Sequence, residues 1–173
     1  MRTRRPRIYD EGVYLDFGEQ PRPIELQIGY KLIPLVIEHN DAPLLSEIQY
    51  LRNEIDAEYG LPLPMLLIRD NMCLKPTEYR ILLHGIDVGG FHDLRLGYVL
   101  CLDTGSVKGE LSGVKINEPA FGMEGILVAK EKSDDAKRLG YKVVEPSQII
   151  KVHLTEIVKK NITKFLDQCM VNT

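Results

Sequence analysis

Three side chains in the first half of the chain, Asp70, His84 and His92, are of the types that hydrolases and metal sites use. His84 and His92 bound the segment "HGIDVGGFH", where a hairpin could bring the two imidazoles face to face. The three side chains together would suit a small hydrolase, and the two histidines a weak metal site. Lone histidines are more often surface groups or satisfied core groups, so this hypothesis is the remoter alternative.

The sequence offers little support for a catalytic nucleophile. Cys73, Cys101 and Cys169 are odd in number, widely spaced, and form no C-x-x-C pair. The sequence contains no G-x-S-x-G, H-E-x-x-H or P-loop motif. Cys101 lies in an apolar run that predicts a core residue, and the cysteine usage indicates a reducing compartment. We therefore expect no enzyme activity, no metal and no cofactor.

The segment "LLIRDNMCLKPTEYRILLHG", residues 66–85, raises the question of a catalytic Arg-Asp pair. Asp70 and Asn71 are residues that accept hydrogen bonds from nearby backbone donors in turns. Arg69 could pair with Asp70 or with Glu78, and no convergent catalytic partner is evident. The pattern favours a structural turn between two strands.

The segment "INEPAFGMEG", residues 116–125, places Phe121 and Met123 among residues that break regular structure. Two interpretations of Phe121 remain open from spacing alone. The first, which spacing favours, is that Phe121 fills a small core. The second is that Phe121 forms the floor of a shallow apolar pocket that receives a protein partner.

Composition narrows the class of protein. The chain has 173 residues, a net charge of −3 and 44% hydrophobic residues, which is typical of a folded globular protein. A nucleic-acid-binding module is disfavoured because the strands present mainly aliphatic residues and the chain lacks an overall basic field. The apolar runs are too short to span a bilayer, so we expect a soluble intracellular chain. The basic residues near the start are interpreted as a solvated tail: Arg2, Arg4, Arg5 and Arg7.

Hydrophobic periodicity predicts an α+β fold. The predicted strands lie at 24–28, 65–68, 78–84, 86–88, 98–102, 126–128 and 141–144. The predicted helices are one capped by Asp41 and ended by Gly60, one at 133–139, and a closing helix from Pro146. Residues 32–37 are expected to form a loop or a short edge piece. The fold class is a small mixed sheet with packed helices, in ferredoxin/RRM-like order, and a second small α/β subdomain inserted before the closing helix.

This order predicts the domain organisation. Residues 1–23 form a linker or arm, residues 24–95 with 146–168 form the first subdomain, and residues 96–145 form the inserted second subdomain. The apolar stripe of the closing helix comprises Ile150, Leu154, Val158, Ile162 and Phe165. Its lysines are expected to face away from that stripe: Lys151, Lys159, Lys160 and Lys164.

Four segments in order resemble the cytoplasmic region of the type III export gate family that includes FlhA, InvA, MxiA and EscV. These segments are "IELQIGYKLIPLV", "LLIRDNMCLKPTEYRILLHG", "NEPAFG" and "GYKVVEPSQIIKVHL". The resemblance covers about residues 24–168, and the flagellar branch is closer than the injectisome branch. It implies a fragment that holds the linker and the first two of four cytoplasmic subdomains, with membrane helices only in a missing N-terminal region.

The resemblance also implies a function without catalysis. Family members dock export chaperones with their cargo at the cytoplasmic face of the bacterial inner membrane, work with other export apparatus proteins, and assemble into nonameric rings. By motif matching, the chaperone site falls on Glu118, Phe121 and Val152. The family usually has Asp where Glu118 stands and Thr where Val152 stands, so a hydroxyl is lost at Val152. An injectisome export gate homologue is the alternative.

Overall fold

A computed structural model of the protein describes residues 24–37, 40–60, 62–64 and 66–162. The predicted linker at 1–23 lies outside these residues, as do Phe165, Lys164 and Cys169. Within the described residues, no helix combines the length and apolar character needed to cross a membrane.

The first sheet has four strands in the order β2-β1-β3-β4. They are β1 (Ile24–Ile28), β2 (Leu66–Asp70), β3 (Tyr79–Leu83) and β4 (Ile86–Phe91). β1 runs parallel to β2 and antiparallel to β3, and β3 pairs with β4 as an antiparallel hairpin. A parallel pair requires a crossover, and here it contains a 3₁₀ helix (Tyr30–Val36) and helix α1 (Pro43–Tyr59).

The second sheet is antiparallel, with strand order β6-β7-β5-β8. Its strands are β5 (Tyr98–Leu102), β6 (Val114–Asn117), β7 (Glu124–Ala129) and β8 (Lys142–Val144). A 3₁₀ helix (Lys130–Lys132) and helix α2 (Ser133–Arg138) connect β7 to β8. Helix α3 (Pro146–Lys160) follows β8 and packs against α1 of the first unit.

The two sheets share one hydrophobic core. Leu100 of β5 and Val144 of β8 belong to the same buried cluster as Ile24 of β1 and Leu154 of α3. A smaller cluster lies on the other face of the second sheet and contains Val99, Cys101, Val128 and Ala136. The division into a first and an inserted subdomain stays a prediction, because the larger core is continuous between the sheets.

The α+β prediction is confirmed, and so are the buried Cys101 and the C-terminal stop of α1 at Gly60. Three local predictions are wrong. Residues 30–36 form a 3₁₀ helix instead of a loop or edge piece. The N-cap of α1 is Ala42, with no side-chain cap from Asp41. Strand β6 lies partly within 116–125, because pairing with β7 supplies order that the local sequence does not encode.

Lys160 is exposed, as expected, and two other lysines of α3 lie on the flank that meets α1. Lys151 donates to Glu54 of α1 at 2.8 Å, and Lys159 lies 3.1 Å from Glu58. These lysines therefore face the neighbouring helix, since α3 packs along α1 and brings its flank against the acidic side of that helix.

Candidate docking site

The loop between β6 and β7 is organised by Glu118, which is only 7% exposed. Its Oε1 accepts hydrogen bonds from the backbone N–H of Phe121 at 2.6 Å and of Met123 at 3.1 Å. Its Oε2 accepts from the N–H of Ala120 at 2.8 Å. The carboxylate is therefore occupied by the loop, and it does not form an exposed acidic rim.

The same loop carries the exposed apolar side chains. Phe121 is 62% exposed and Met123 is 41% exposed. The interpretation of Phe121 as a core residue is therefore wrong. Gly122 has φ +72°, a left-handed conformation that glycine adopts at little cost, and this turn leaves Phe121 at the outer end of the β6–β7 hairpin.

A buried polar pair joins β3 to α3. The Tyr79 hydroxyl, fully buried in β3, forms a hydrogen bond with Nδ1 of His153 in α3 at 2.8 Å, and the tautomer of the imidazole sets which of the two donates. Burial raises the pKa of Tyr79 above its usual range, and the Glu118 carboxylate raises it further. Burial lowers the pKa of His153, and Glu118 acts in the opposite direction. Glu118 therefore lies close enough to both rings to act on their charge states.

The structure brings two of the three predicted site residues into direct contact, namely Glu118 and Phe121. Val152 is half-buried on α3, next to His153 in the chain. Val152 precedes His153 in α3, and the Glu118 carboxylate acts to raise the pKa of His153 against the larger effect of burial. The assignment of the three residues as a partner-binding site stays a prediction.

The proposed hydrolase or metal site is not assembled. His84 lies in the turn between β3 and β4, and His92 follows β4 at the other end of that hairpin. The two histidines are separated by the length of β4, which is roughly 20 Å for its six residues. The described part of the chain contains no group of three or more His, Cys, Asp or Glu that could hold a metal ion. The hypothesis that His84 faces His92 is wrong, because the pairing of β3 with β4 places the two histidines at opposite ends of the hairpin.

The Arg69-Asp70-Asn71 segment has the structural role that the sequence favours. Asn71 accepts from the N–H of Cys73 at 2.9 Å and donates to Gln27 at 2.9 Å, which stabilises the turn after β2. Arg69 pairs with the buried Glu25 of β1 at 3.2 Å. The parallel pairing of β1 and β2 decides this partner, which local sequence could not show.

The sequence alone does not identify the buried hydrogen bond between Tyr79 and His153. A signal for His153 was present, because Ile150, His153, Leu154 and Ile157 have the spacing of one helical face. The close approach of Gly89 in β4 to the His153 ring can be seen only in the three-dimensional structure. A Cβ at that position would lie 2.8 Å from Nε2 of His153, so the strand and the ring are in close contact.

Comparison with known proteins gives a consistent result. Residues 15–173 match the FHIPEP family. The "Flagellar biosynthesis protein FlhA" of Treponema pallidum (strain Nichols) is 39% identical over 144 residues, which cover 83% of this chain and 20% of that protein. The chain thus spans about a fifth of the length of the curated relatives it matches.

Solved structures share the fold at low sequence identity. The Chlamydia pneumoniae CdsV and CdsO complex contains a chain with a TM-score of 0.70 and 19% identity, covering 87% of this chain and 48% of that one. The nonameric EPEC SctV-C, solved by cryo-EM, has a TM-score of 0.54 and 16% identity, covering 87% and 43%. The sequence and structure matches together confirm the resemblance inferred from the four segments.

Proposed function

Because the chain belongs to the FHIPEP family, we propose that it is a docking module of a flagellar type III protein export gate. It binds export chaperones that carry cargo, at the cytoplasmic face of the bacterial inner membrane, and it does so without catalysis. The observation that carries the proposal is the exposed Phe121 on a loop whose backbone is held by a buried carboxylate.

An ordered, exposed aromatic side chain suits protein recognition. Little conformational entropy is lost when a partner covers it, and aromatic anchors contribute strongly to binding. Met123 extends the apolar surface on the same loop. Val152 is the proposed third contributor, through the α3 segment that contains His153.

Assembly and other partners are part of the same proposal. The fold likeness to the nonameric EPEC SctV-C supports a ring of this chain's longer parent protein. The likeness to CdsV in its complex with CdsO supports contact with other export apparatus proteins. The same two likenesses favour an injectisome export gate as the second candidate, whereas the 39% identity to a flagellar relative favours the flagellar gate.

The test is a calorimetric titration with a purified flagellar chaperone–cargo complex encoded in the same genome, using the wild-type chain and Phe121→Ala. We expect binding by the wild type and about tenfold or greater weakening in Phe121→Ala, because truncation removes an apolar anchor. The fold should survive, since Phe121 is 62% exposed.

The matched control is Tyr50→Ala, which removes an equally exposed aromatic side chain from α1. We expect the control to bind as the wild type does. Equal affinities of the wild type and a folded Phe121→Ala variant would refute the role of the loop, and weakening by both variants would point to a nonspecific apolar effect.

A further inference from the structure

Glu118 accepts every backbone N–H that residues 119–123 can donate. The N–H groups of Ala120, Phe121 and Met123 go to its carboxylate, and that of Gly122 goes to its carbonyl at 3.0 Å. Pro119 has no N–H to give. The Glu118 N–H in turn donates to the Met123 carbonyl at 2.8 Å, which closes the loop. One residue thereby determines the conformation of the whole segment.

We infer that Glu118 is a positioning residue of the docking site, which sets the direction in which Phe121 projects and does not itself meet the partner. The inference rests on the proposed function and adds that one residue of the site, Glu118, positions the loop while another, Phe121, contacts the partner. A side chain that is 7% exposed, with both oxygens already accepting hydrogen bonds, has little surface left for a partner. Hydrogen bonds to an ionised carboxylate are stronger than those between neutral groups, which suits a group that holds a loop.

The inference has a consequence for the chemistry of the partner. The partner should insert an apolar side chain against Phe121 and Met123, and it needs no basic residue to match Glu118. The neighbouring exposed charges lie close to each other across the hairpin, since the ammonium nitrogen of Lys115 is 3.8 Å from the Glu124 carboxylate. Recognition by apolar contact should depend weakly on salt.

Three substitutions of Glu118 separate positioning from charge. Glu118→Asp keeps a carboxylate that can accept from the N–H groups two and three residues later, as aspartate does in turns. Glu118→Gln turns one oxygen into an NH₂ group, which cannot accept from the loop. Glu118→Ala removes all side-chain acceptors. Glu124→Gln is the matched control, because it removes one negative charge from the same hairpin, at an exposed position outside this hydrogen-bond set.

The measurements are amide hydrogen exchange of the free chain by NMR and calorimetric titration with the same chaperone–cargo complex. We expect protection of the Ala120, Phe121 and Met123 amides to follow the order wild type, Asp, Gln, Ala. Affinity should follow the same order, with Asp within about threefold of the wild type and Ala weaker by about tenfold or more. Glu124→Gln should match the wild type in both measurements.

The remaining outcomes overturn the inference. Loss of affinity in Glu118→Ala with the loop amides still protected would show direct contact by the carboxylate. Loss of protection with affinity unchanged would show that loop order is not needed. Weakening by Glu124→Gln equal to that of Glu118→Gln would show recognition by charge. Failure of the wild type to bind would overturn the proposed function and the inference together, whereas the other outcomes leave the proposed function standing.

Discussion

The Tyr79–His153 pair shows how burial decides the protonation of a single residue. Because the pKa of Tyr79 is raised by burial, its hydroxyl keeps its proton and can either donate to Nδ1 of His153 or accept from it. A neutral imidazole that accepts at Nδ1 carries its proton on Nε2, the atom that faces Gly89. The charged imidazolium is disfavoured because burial removes its hydration, which lowers the pKa of His153.

We expect the free energy of unfolding to fall as His153 becomes protonated at lower pH. The pKa of folded His153 is lowered from the ordinary value of 6.5, so the unfolded chain binds the proton more readily. The contribution of neutral His153 to the free energy of unfolding is complete above about pH 6.5. It is lost as pH falls below that value, at no more than about 1.4 kcal/mol per pH unit. Urea unfolding at a series of pH values measures this slope.

The control for this prediction is His153→Asn, which keeps an acceptor toward Tyr79 and cannot titrate. The variant should be less stable at every pH because it is smaller, and the part of the slope that belongs to His153 should disappear. Identical slopes in the wild type and the variant would show that other groups cause the pH dependence.

At the scale of elements, helix α1 illustrates which boundaries are encoded locally. Gly60 has φ +69° and its N–H donates to the Asp56 carbonyl at 2.8 Å, which is the expected end of a helix. The start is less regular. Asp41 and Ala42 both have positive φ, and the chain enters the helix at Pro43 without a side-chain cap. The Ala42 N–H donates to the Ile37 carbonyl at 3.0 Å, which ties the start of α1 to the residue that follows the 3₁₀ helix.

We expect Gly60→Ala to destabilise the protein by about 1–2 kcal/mol, because a Cβ is disfavoured at this left-handed φ. A steric cause is excluded, since a Cβ at Gly60 would have nothing within 4 Å. Gly60→Asn is the matched variant and should lose less stability than Gly60→Ala, because asparagine tolerates this left-handed conformation. Denaturant unfolding compares the three chains, and equal losses in both variants would contradict the conformational explanation.

At the scale of the whole molecule, the loop that carries Phe121 belongs to the second sheet, and the Tyr79–His153 pair joins β3 to α3. The shared core holds these parts together, because Leu100 of β5 is buried with residues of the first sheet and α3. A change in the packing of either sheet should therefore reach the loop that carries Phe121.

We predict that Leu100→Ala lowers stability by about 2–5 kcal/mol and leaves one cooperative unfolding transition for both sheets. Native-state hydrogen exchange should show equal loss of protection in β1 and β7, the respective inner strands of the two sheets. Val114→Ala, at an exposed position of β6, is the control and should change stability by less than about 0.5 kcal/mol. Loss confined to β7 would show that the second sheet unfolds independently.

Local patterns in the sequence are enough to predict the α+β class and most strand positions, and they include the segments that carry the family resemblance. Alternation in β3 and the apolar stripe of α3 are local patterns, so they can be recognised without a partner. Glycine at a left-handed position, as at Gly60, is equally local. Phe121 and Glu118 were identified through that resemblance, and spacing alone favoured the wrong environment for Phe121.

The environment of Glu118 and Phe121 depends on contacts between segments that are distant in the chain. Glu118 is buried and Phe121 exposed because the β6–β7 hairpin directs the carboxylate into the loop backbone and toward His153. The ion pair of Arg69 with Glu25 depends on parallel pairing of strands that are distant in sequence. Burial and ion pairing depend on which segments pack against a residue. Local periodicity does not predict the packing between distant segments.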